Sequence, residues 1–314
     1  MSTKTKIIVI VGPTASGKTK LAVELAKRFQ GEVVSADSMQ IYQGMSIATA
    51  KPTQEEMEGI PHHLMDFLPM DQPFNVSDYV TLANEEIQKI VSKGHLPIVA
   101  GGTGLYVNSL IDGISFSPVE SDEELRKQLY EQAKEDEGQS LYQYLCEIDP
   151  DSAAEIHPNN LVRVIRAVEI YRLTGITMTE HKKKSRECPS QYEVCMIGLN
   201  YHDRQKLYDR INLRVDQMME QGLLEEAKQV LSHGSLKTAM NAIGYKELIP
   251  YFQGEDTLDH CIDKIKQESR RYAKRQLTWF RRDTRINWIF VDEFSSFREI
   301  MEKSEKCIES FLDL

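Results

Sequence analysis

Residues 6–19 read Lys6-Ile-Ile-Val-Ile-Val-Gly12-Pro-Thr-Ala-Ser-Gly17-Lys18-Thr19. A short β-branched run passes directly into a glycine-rich loop, and a helical stretch over 19–29 follows. The loop fits the pattern G-x-x-x-x-G-K-[ST] without a mismatch and has the strand–loop–helix context that a phosphate loop needs. Backbone N–H groups of such a loop surround an anion, and the helix N-terminus adds partial positive charge. The predicted phosphate-binding residues are Gly12, Thr14, Ala15, Ser16, Gly17, Lys18 and Thr19.

The phosphate loop alone indicates a di- or triphosphate and leaves the reaction open. Lys18 is expected to reach the terminal phosphate, and the Thr19 hydroxyl is placed to hold Mg²⁺. A P-loop NTPase also carries an acidic residue at the end of an apolar strand, where it helps to hold Mg²⁺. Here the candidate strand over 96–100 ends in Gly101-Gly-Thr103, and Asp66 follows too short a strand to replace the acid. The missing acid argues against ATP hydrolysis.

The first third of the chain alternates strands with helices. Apolar segments over 6–11, 32–35 and 96–100 are separated by helical stretches over 19–29 and 77–92. This order predicts a parallel sheet with helices on both faces. Ligands of such sheets bind at the carboxyl ends of the strands. All three segments end in small polar residues or glycine, as a binding crevice requires.

The remaining chain predicts a two-part organisation. Residues 118–192 include a densely charged stretch over 120–138 and show helical patterns without a convincing strand, whereas 193–198 and 287–291 are again strand-like. We therefore expect an α/β fold: a P-loop NTPase-like parallel sheet core (1–117 and 193–314) with a mostly helical insertion domain (118–192). Helices are predicted over 203–221, 223–232, 258–280 and 295–311.

Composition limits the class of protein. Hydrophobic residues make up 41% and charged residues 27% of the 314 residues, which is typical of a globular chain. No apolar run approaches the roughly 18 residues of a membrane-spanning helix. The five cysteines are scattered without a C-x-x-C pair, so neither a zinc ribbon nor a disulfide framework is expected. We expect a cytoplasmic monomer with no membrane partner.

The net charge of −10 is unevenly distributed. The window 264–285 holds nine basic and two acidic residues, a local charge of +7 on an acidic chain. On the predicted helix one face carries Lys264, Arg271, Arg275 and Arg282. Another face, predicted to face the core, carries Leu258, Ile262, Ile265, Tyr272 and Trp279. A basic stripe of this kind permits docking of RNA phosphates without requiring it.

An ordered set of short motifs resembles a known family. Besides the phosphate loop, the motifs are Ala36-Asp-Ser-Met-Gln-Ile-Tyr42, Ala48-Thr-Ala-Lys-Pro52, Pro61-His-His-Leu64, Gly101-Gly-Thr-Gly-Leu-Tyr106, His157-Pro-Asn-Asn160, Arg166-Ala-Val-Glu169, Asn212-Leu-Arg-Val215, Ala242-Ile-Gly-Tyr-Lys246 and Tyr272-Ala-Lys-Arg-Gln-Leu-Thr-Trp279. Together they resemble the tRNA dimethylallyltransferases of bacterial type, also called isopentenyl-pyrophosphate tRNA transferases. The resemblance extends from residue 7 to about residue 282.

The resemblance implies a prenyl transfer. A dimethylallyl group would pass from dimethylallyl pyrophosphate to the exocyclic amine of the adenosine just 3′ of the anticodon, releasing pyrophosphate, with Mg²⁺ as cofactor. It implies three catalytic residues: Asp37 as base, Thr103 near the leaving oxygen, and Arg214 on the phosphates. It also implies that the insertion and the basic helix contact the anticodon stem-loop. The implied tRNA-binding residues are Asp37, Ser38, Met39, Gln40, Arg163, Arg166, Arg271, Lys274 and Arg275.

Simpler roles compete for each of these residues. Asp37 follows a strand and would also suit a turn cap, and Thr103 would suit a tight turn. Arg214 would be a solvated helix charge, and Arg163 and Arg166 a salt-bridged helix surface. At the level of the whole protein, a small-molecule kinase, an adenylate isopentenyltransferase acting on free nucleotides, and a non-catalytic nucleotide- or RNA-binding protein are the alternatives.

Overall fold

The computed structural model describes residues 4–115, 122–187, 189–233 and 238–314. The chain divides into two compact units, Met1–Ile111 with Gln191–Leu314 and Asp112–Ser190. We call them the sheet unit and the helical unit. The insertion was predicted over 118–192; its predicted start at residue 118 lies outside the described residues.

The sheet unit is built on a parallel sheet. Its described strands are β1 (Thr5–Val11), β2 (Gly31–Ser35), β3 (His62–His63), β4 (Leu96–Gly101), β5 (Tyr192–Asn200) and β6 (Ile286–Phe290). Their order is β3-β2-β4-β1-β5-β6, and every neighbouring pair is parallel. The predicted α/β fold class is confirmed. β3 was not predicted, because two histidines in a segment rich in proline and aspartate have no strand pattern of their own.

The described helices, in chain order, are α1 (Lys18–Phe29), α2 (Gln54–Met57), α3 (Val76–Ser92), α4 (Gly104–Ile111), α5 (Glu123–Glu135), α6 (Gln139–Ile148), α7 (Pro150–Glu155), α8 (Leu161–Thr174), α9 (Met178–Lys184), α10 (Arg204–Glu220), α11 (Leu223–Ser232), α12 (Ile249–Phe252), α13 (Leu258–Phe280) and α14 (Phe297–Leu312). In the described part of the chain, none of them is long and apolar enough to cross a membrane.

The core of the sheet unit lies against β1. Residues 7–11 are fully buried, as expected for a parallel strand covered on both faces. Leu21 and Leu25 lie four apart on α1 and therefore share the face that packs on the sheet. Ile300 and Ile308 of α14 join the same cluster. The packing of α1 and α14 holds the sheet in place. Because β1, β2 and β4 are neighbouring parallel strands, their carboxyl ends form one edge of the sheet, and the loops that follow them meet there.

A second apolar cluster ties α10, α11 and α13 to the segment after β2. It contains Tyr42 and Met45 from that segment, Val215 from α10, Ala227 from α11 and Ile265 from α13, all buried. Because α10 and α13 pack on the segment after β2, they are held beside the carboxyl edge of the sheet.

The helical unit holds α5 to α9 around its own core. Leu129, Leu141, Leu145 and Val168 are fully buried there. The buried Glu169 carboxylate accepts hydrogen bonds from Arg126 (3.0 and 3.1 Å) and from Arg166 (2.8 Å). This unit therefore has an internal ion-pair network as well as an apolar core.

A buried carboxylate anchors the amino end of β2. Glu32 is 2% exposed, and its oxygens lie 2.7 Å from His95 Nδ1, 2.6 Å from His63 Nε2 and 3.1 Å from Lys93 Nζ. Burial by itself would raise the pKa of Glu32, but the hydrogen bonds with His95, His63 and Lys93 outweigh burial and lower the pKa to about 2. The ionised carboxylate is thus favoured in the folded state.

This cluster predicts a pH-dependent contribution to stability. Because the pKa of folded Glu32 lies below its ordinary value, the stabilisation is fully present above about pH 4.5 and is lost as pH falls toward 2. We expect Glu32→Gln to lower the free energy of unfolding by about 2 kcal/mol at neutral pH. The difference from wild type should shrink between pH 4.5 and pH 3. Urea denaturation across this range measures it, with the exposed Glu85→Gln as control; a difference that does not change with pH would contradict the prediction.

Candidate active site at the carboxyl edge of the sheet

The loop between β1 and α1 has the backbone shape of an anion cradle. Gly12 has φ 146°, Ala15 φ 61° and Gly17 φ 98°. A Cβ on Gly12 would lie 2.5 Å from the carbonyl oxygen of Leu199, so only glycine fits there. The Ser16 Oγ is buried without a hydrogen-bond partner in the described structure, as expected of a group whose partner would be a bound phosphate.

A cavity of about 360 Å³ opens beside this loop. It is bounded by the ends of β2 and β4, by α10 and α13, and by the segment 48–50. Of the predicted site residues, those that line it are Thr14, Lys18, Thr19, Asp37, Ser38, Met39, Gln40, Arg214 and Arg275. A second cavity beside the phosphate loop is lined by Ala15, Ser16, Gly17, Lys18, Thr19 and Arg214 among others. Lys18, Thr19 and Arg214 therefore lie where the two cavities meet.

Asp37 follows β2. Its carboxylate caps a turn and also lines the cavity. Its Oδ1 accepts the N–H groups of Met39 (2.9 Å) and Gln40 (3.3 Å). Its Oδ2 has no hydrogen bond with any described residue and so can accept a proton. The competing roles of turn cap and base are therefore compatible, since each uses a different oxygen.

Thr103 lies behind Ser38 in the turn after β4. Its Oγ1 accepts the Ser38 N–H (3.0 Å) and donates to Ser38 Oγ (3.3 Å). Burial and the nearby Asp37 raise the pKa of Tyr272 on α13, and the Thr103 side chain opposes part of that effect. In this arrangement Thr103 holds the residue next to the carboxylate, and it does not itself line the cavity.

Arg214 points inward from α10 and is not the solvated surface charge that its helical position also allowed. Its Nη1 donates to Thr14 Oγ1 (3.3 Å) and its Nη2 donates to the Ala50 carbonyl (3.2 Å). Burial lowers the pKa of Arg214, and the nearby Asp37 opposes that effect. Because arginine keeps its charge in proteins, the cavity retains a fixed cation beside the phosphate loop.

The Lys18 ammonium is the titrating cation of the site. Its Nζ donates to the Pro13 carbonyl (2.8 Å). Burial and the charge of Arg214 lower the pKa of Lys18 to about 7, and Asp37 offsets part of this effect. With a pKa of about 7, the Lys18 side chain is partly uncharged near neutral pH.

Anion binding should consequently take up a proton. A bound pyrophosphate favours the ammonium and raises the pKa of Lys18, so affinity for pyrophosphate should fall as pH rises above about 7. At pH 8 we expect wild type to take up about half to one proton more than Lys18→Arg, whose guanidinium does not titrate. Calorimetry with inorganic pyrophosphate in two buffers of different ionisation enthalpy measures the uptake. Equal uptake by both proteins would contradict the assigned pKa.

Gln40 and the wall segment 48–50 are held together by hydrogen bonds. Gln40 Nε2 donates to the carbonyls of Thr49 and Ala50, both at 3.2 Å, and its Oε1 accepts from the Ser35 hydroxyl (3.3 Å). The side-chain amide of Gln40, which the resemblance implied to be a tRNA-binding group, is thus engaged within the protein. Gln40 lines the cavity with its amide fixed.

Glu226 on α11 was not predicted as a site residue. Its buried carboxylate accepts the N–H groups of Ser46 (2.8 Å), Ile47 (2.8 Å) and Ala48 (2.9 Å) and the hydroxyl of Tyr245 (3.0 Å). This clamp fixes the segment whose carbonyl at residue 50 receives Arg214. Nothing in the local sequence distinguishes Glu226 from its neighbour at 225.

Helix α13 presents a basic face and a site face. Arg271, Lys274 and Arg275 are exposed, and the Arg271 Nη1 donates to Glu268 Oε1 at 2.6 Å. The face predicted to be buried is only partly so: Trp279 is 38% exposed, and its Nε1 donates to Asn108 Oδ1 (2.9 Å). The prediction of a core position was wrong for Trp279 because its indole lies against Gly104 and Asn108 of α4 with one part open to solvent.

Two other tRNA-binding predictions fall in the helical unit. Arg166 is engaged with the buried Glu169, as the alternative of a salt-bridged helix surface required. Arg163 is exposed near the start of α8. Both assignments to tRNA stay predictions.

Thr19 is the candidate metal ligand of the site. Thr19 is exposed at the start of α1, and its hydroxyl makes no hydrogen bond within the described residues. Among those residues no cluster of three or more His, Cys, Asp or Glu could hold a metal ion. A hard cation here would therefore take most of its ligands from phosphate and water, which is how Mg²⁺ is commonly bound beside phosphates.

The fold and site define a P-loop α/β protein in which a carboxylate faces the phosphate loop across a cavity. The chain belongs to the IPP transferase family, whose sequence model matches residues 40–283. The resemblance read from the motifs is confirmed.

Individual relatives are similar over nearly the whole chain. The tRNA dimethylallyltransferase of Acetivibrio thermocellus is 50% identical over 307 residues, 97% of this chain and 98% of the relative. The crystal structure of the full-length tRNA isopentenylpyrophosphate transferase from Bacillus halodurans is 46% identical with a TM-score of 0.74, covering 99% of this chain and 97% of that one. A eukaryotic dimethylallyltransferase acting on tRNA has a TM-score of 0.82 at 29% identity, covering 98% of this chain and 80% of that one.

Proposed function

We propose that this protein transfers the dimethylallyl group of dimethylallyl pyrophosphate to the exocyclic amine of the adenosine 3′ of the anticodon in tRNA, releasing pyrophosphate. The observation that carries the proposal is the arrangement of Asp37, Lys18 and Arg214 around one cavity. It places a carboxylate with a free oxygen opposite a cradle for a leaving pyrophosphate. The names of the relatives agree with this chemistry.

The residues can divide the reaction between them. The amine nitrogen forms a bond to C1 of the allylic group as the bond from C1 to the pyrophosphate oxygen breaks. The amine proton passes to Oδ2 of Asp37, and the electron pair of the broken bond stays on pyrophosphate. Lys18, Arg214 and the N–H groups of the phosphate loop neutralise the charge that develops there, which is the effect expected to lower the barrier most.

Mg²⁺ is proposed as the cofactor, with the Thr19 hydroxyl as its protein ligand. When bound, the ion would neutralise further charge on the pyrophosphate. The free Thr19 hydroxyl beside the cradle supports this assignment.

The acceptor is proposed to be the anticodon stem-loop, with its target base turned out of the stack to reach the cavity. Arg275 supports this choice because it lines the cavity and lies on the basic face of α13. Arg271 and Lys274 would then contact phosphates, and binding should weaken steeply with salt. With such a substrate, the protein would act in the cytoplasm.

A transfer assay with radiolabelled dimethylallyl pyrophosphate and Mg²⁺ tests the proposal. Unmodified tRNA, free AMP, and tRNA with ATP are the compared conditions. Label entering tRNA alone would support the proposal. Label entering AMP would favour an adenylate isopentenyltransferase, and ATP turnover without prenyl transfer would favour a kinase; either result would refute the proposal.

A further inference from the structure

Gln276 connects α13 to two loops of the candidate site. It is 5% exposed, its Oε1 accepts the Thr14 N–H of the phosphate loop (2.9 Å), and its Nε2 donates to the Gly102 carbonyl (3.0 Å). A Cβ on Gly102 would lie 2.1 Å from that Nε2, so the turn after β4 needs glycine to admit the amide. One side chain thus fixes the loop after β1 against the turn after β4.

One of the loops joined by Gln276 belongs to the proposed site for the leaving pyrophosphate, and the other supports the proposed base, Asp37. Thr14 belongs to the phosphate cradle and accepts a hydrogen bond from Arg214 at its hydroxyl. Gly102 precedes Thr103, whose hydroxyl holds the Ser38 N–H next to the carboxylate of Asp37. A shift of either loop would therefore change the distance between the base and the leaving group.

An amide suits this position better than any other side chain of similar size. The bridge needs an acceptor toward the Thr14 N–H and a donor toward the Gly102 carbonyl. A methionine offers neither strongly, and an ionised glutamate offers only acceptors. A protonated glutamate, in contrast, supplies one of each.

We propose that Gln276, which borders the cavity, is a positioning residue for prenyl transfer: its amide bridge sets the phosphate loop relative to the base. The inference rests on the proposed function. It predicts that loss of the amide lowers kcat and the affinity for pyrophosphate but leaves the affinity for tRNA unchanged, although Gln276 lies on the helix that carries the basic face.

Gln276→Met removes both hydrogen bonds and nearly preserves shape. We expect kcat to fall about 10- to 100-fold and affinity for inorganic pyrophosphate about tenfold, because two buried backbone groups lose their partners and the loops shift. The tRNA dissociation constant should stay within about twofold. The matched control is Gln267→Met, a partly buried glutamine of α13 without a side-chain hydrogen bond among the described residues.

Gln276→Glu tests the hydrogen bonds separately from the packing of the side chain, because its kcat should depend on pH. Burial beside a carbonyl oxygen raises the pKa of the new carboxyl. The ratio of its kcat to that of wild type should therefore be highest near pH 6 and fall about tenfold or more by pH 8.5. A ratio independent of pH, or wild-type kcat in Gln276→Met, would overturn the inference.

The outcomes separate this inference from the proposed function. If wild type transfers no label to tRNA, the proposed function fails, and the pyrophosphate titration alone decides the effect of Gln276 on the loop. If wild type is active and Gln276→Met matches it, only the positioning role fails. Thermal unfolding monitors both variants; if neither folds, Gln276 serves the fold and the positioning role is refuted.

Discussion

Asp37→Asn is expected to lower kcat for prenyl transfer by about 10³-fold while tRNA binding is retained. The amide can still accept the N–H groups of Met39 and Gln40 through its Oδ1, as the carboxylate does. The turn after β2 should therefore persist. What is lost is the proposed proton acceptor at Oδ2, on which a weakly nucleophilic amine would depend as it attacks.

Single-turnover transfer to tRNA and filter binding of tRNA measure the two quantities separately. Asp71→Asn, at an exposed aspartate distant in sequence from the turn, is the control and should match wild type. A kcat within fivefold of wild type for Asp37→Asn would remove Asp37 from the role of base and leave it as a turn cap.

Arg214→Gln is expected to reduce kcat by about 10²- to 10³-fold, mainly through weaker stabilisation of the departing pyrophosphate. The guanidinium joins Thr14 of the phosphate loop to the carbonyl of Ala50, and it is the fixed charge beside the titrating Lys18. Arg214→Lys should recover only part of the loss, because an ammonium cannot span both partners in the same geometry.

The effect of Arg214→Gln on pyrophosphate affinity should accompany the loss of rate, whereas tRNA affinity should change little. Arg204→Gln, an exposed arginine at the start of the same helix, is the control. If Arg214→Gln lost tRNA binding but kept its pyrophosphate affinity, the arginine would belong to the RNA interface and not to the leaving-group site.

The two variants should also change the pKa of Lys18 in opposite directions. Asp37 and Arg214 both influence the pKa of Lys18, in opposite directions. Removing the carboxylate should lower the pKa of Lys18 further, and removing the guanidinium should raise it. The pH dependence of pyrophosphate binding should therefore move down in pH in Asp37→Asn and up in Arg214→Gln.

The local sequence pattern was enough to predict those elements whose conformation is set by residues adjacent in the chain. The phosphate loop between β1 and α1 can be recognised from eight consecutive residues, 12–19. Gly12 and Gly17 adopt positive φ values, and the lysine and threonine that follow have fixed positions on the first turn of α1. The same holds for β4, α11 and α13, whose predicted bounds agree with the structure to within one residue. β3 was missed because it exists only by pairing with β2 at Val33 and Val34.

The wider site was decided by tertiary structure, since its contacts join distant parts of the chain. Glu226 reaches Ser46 across 180 positions and Gln276 reaches Thr14 across 262. No local periodicity marks such residues, because a buried carboxylate or amide is recognised only by the backbone groups it meets. The sequence by itself determined the α/β class, the phosphate cradle and the identity of the charged groups. Only the packing of α10, α11 and α13 on the carboxyl edge of the sheet decided which of those charges face one another.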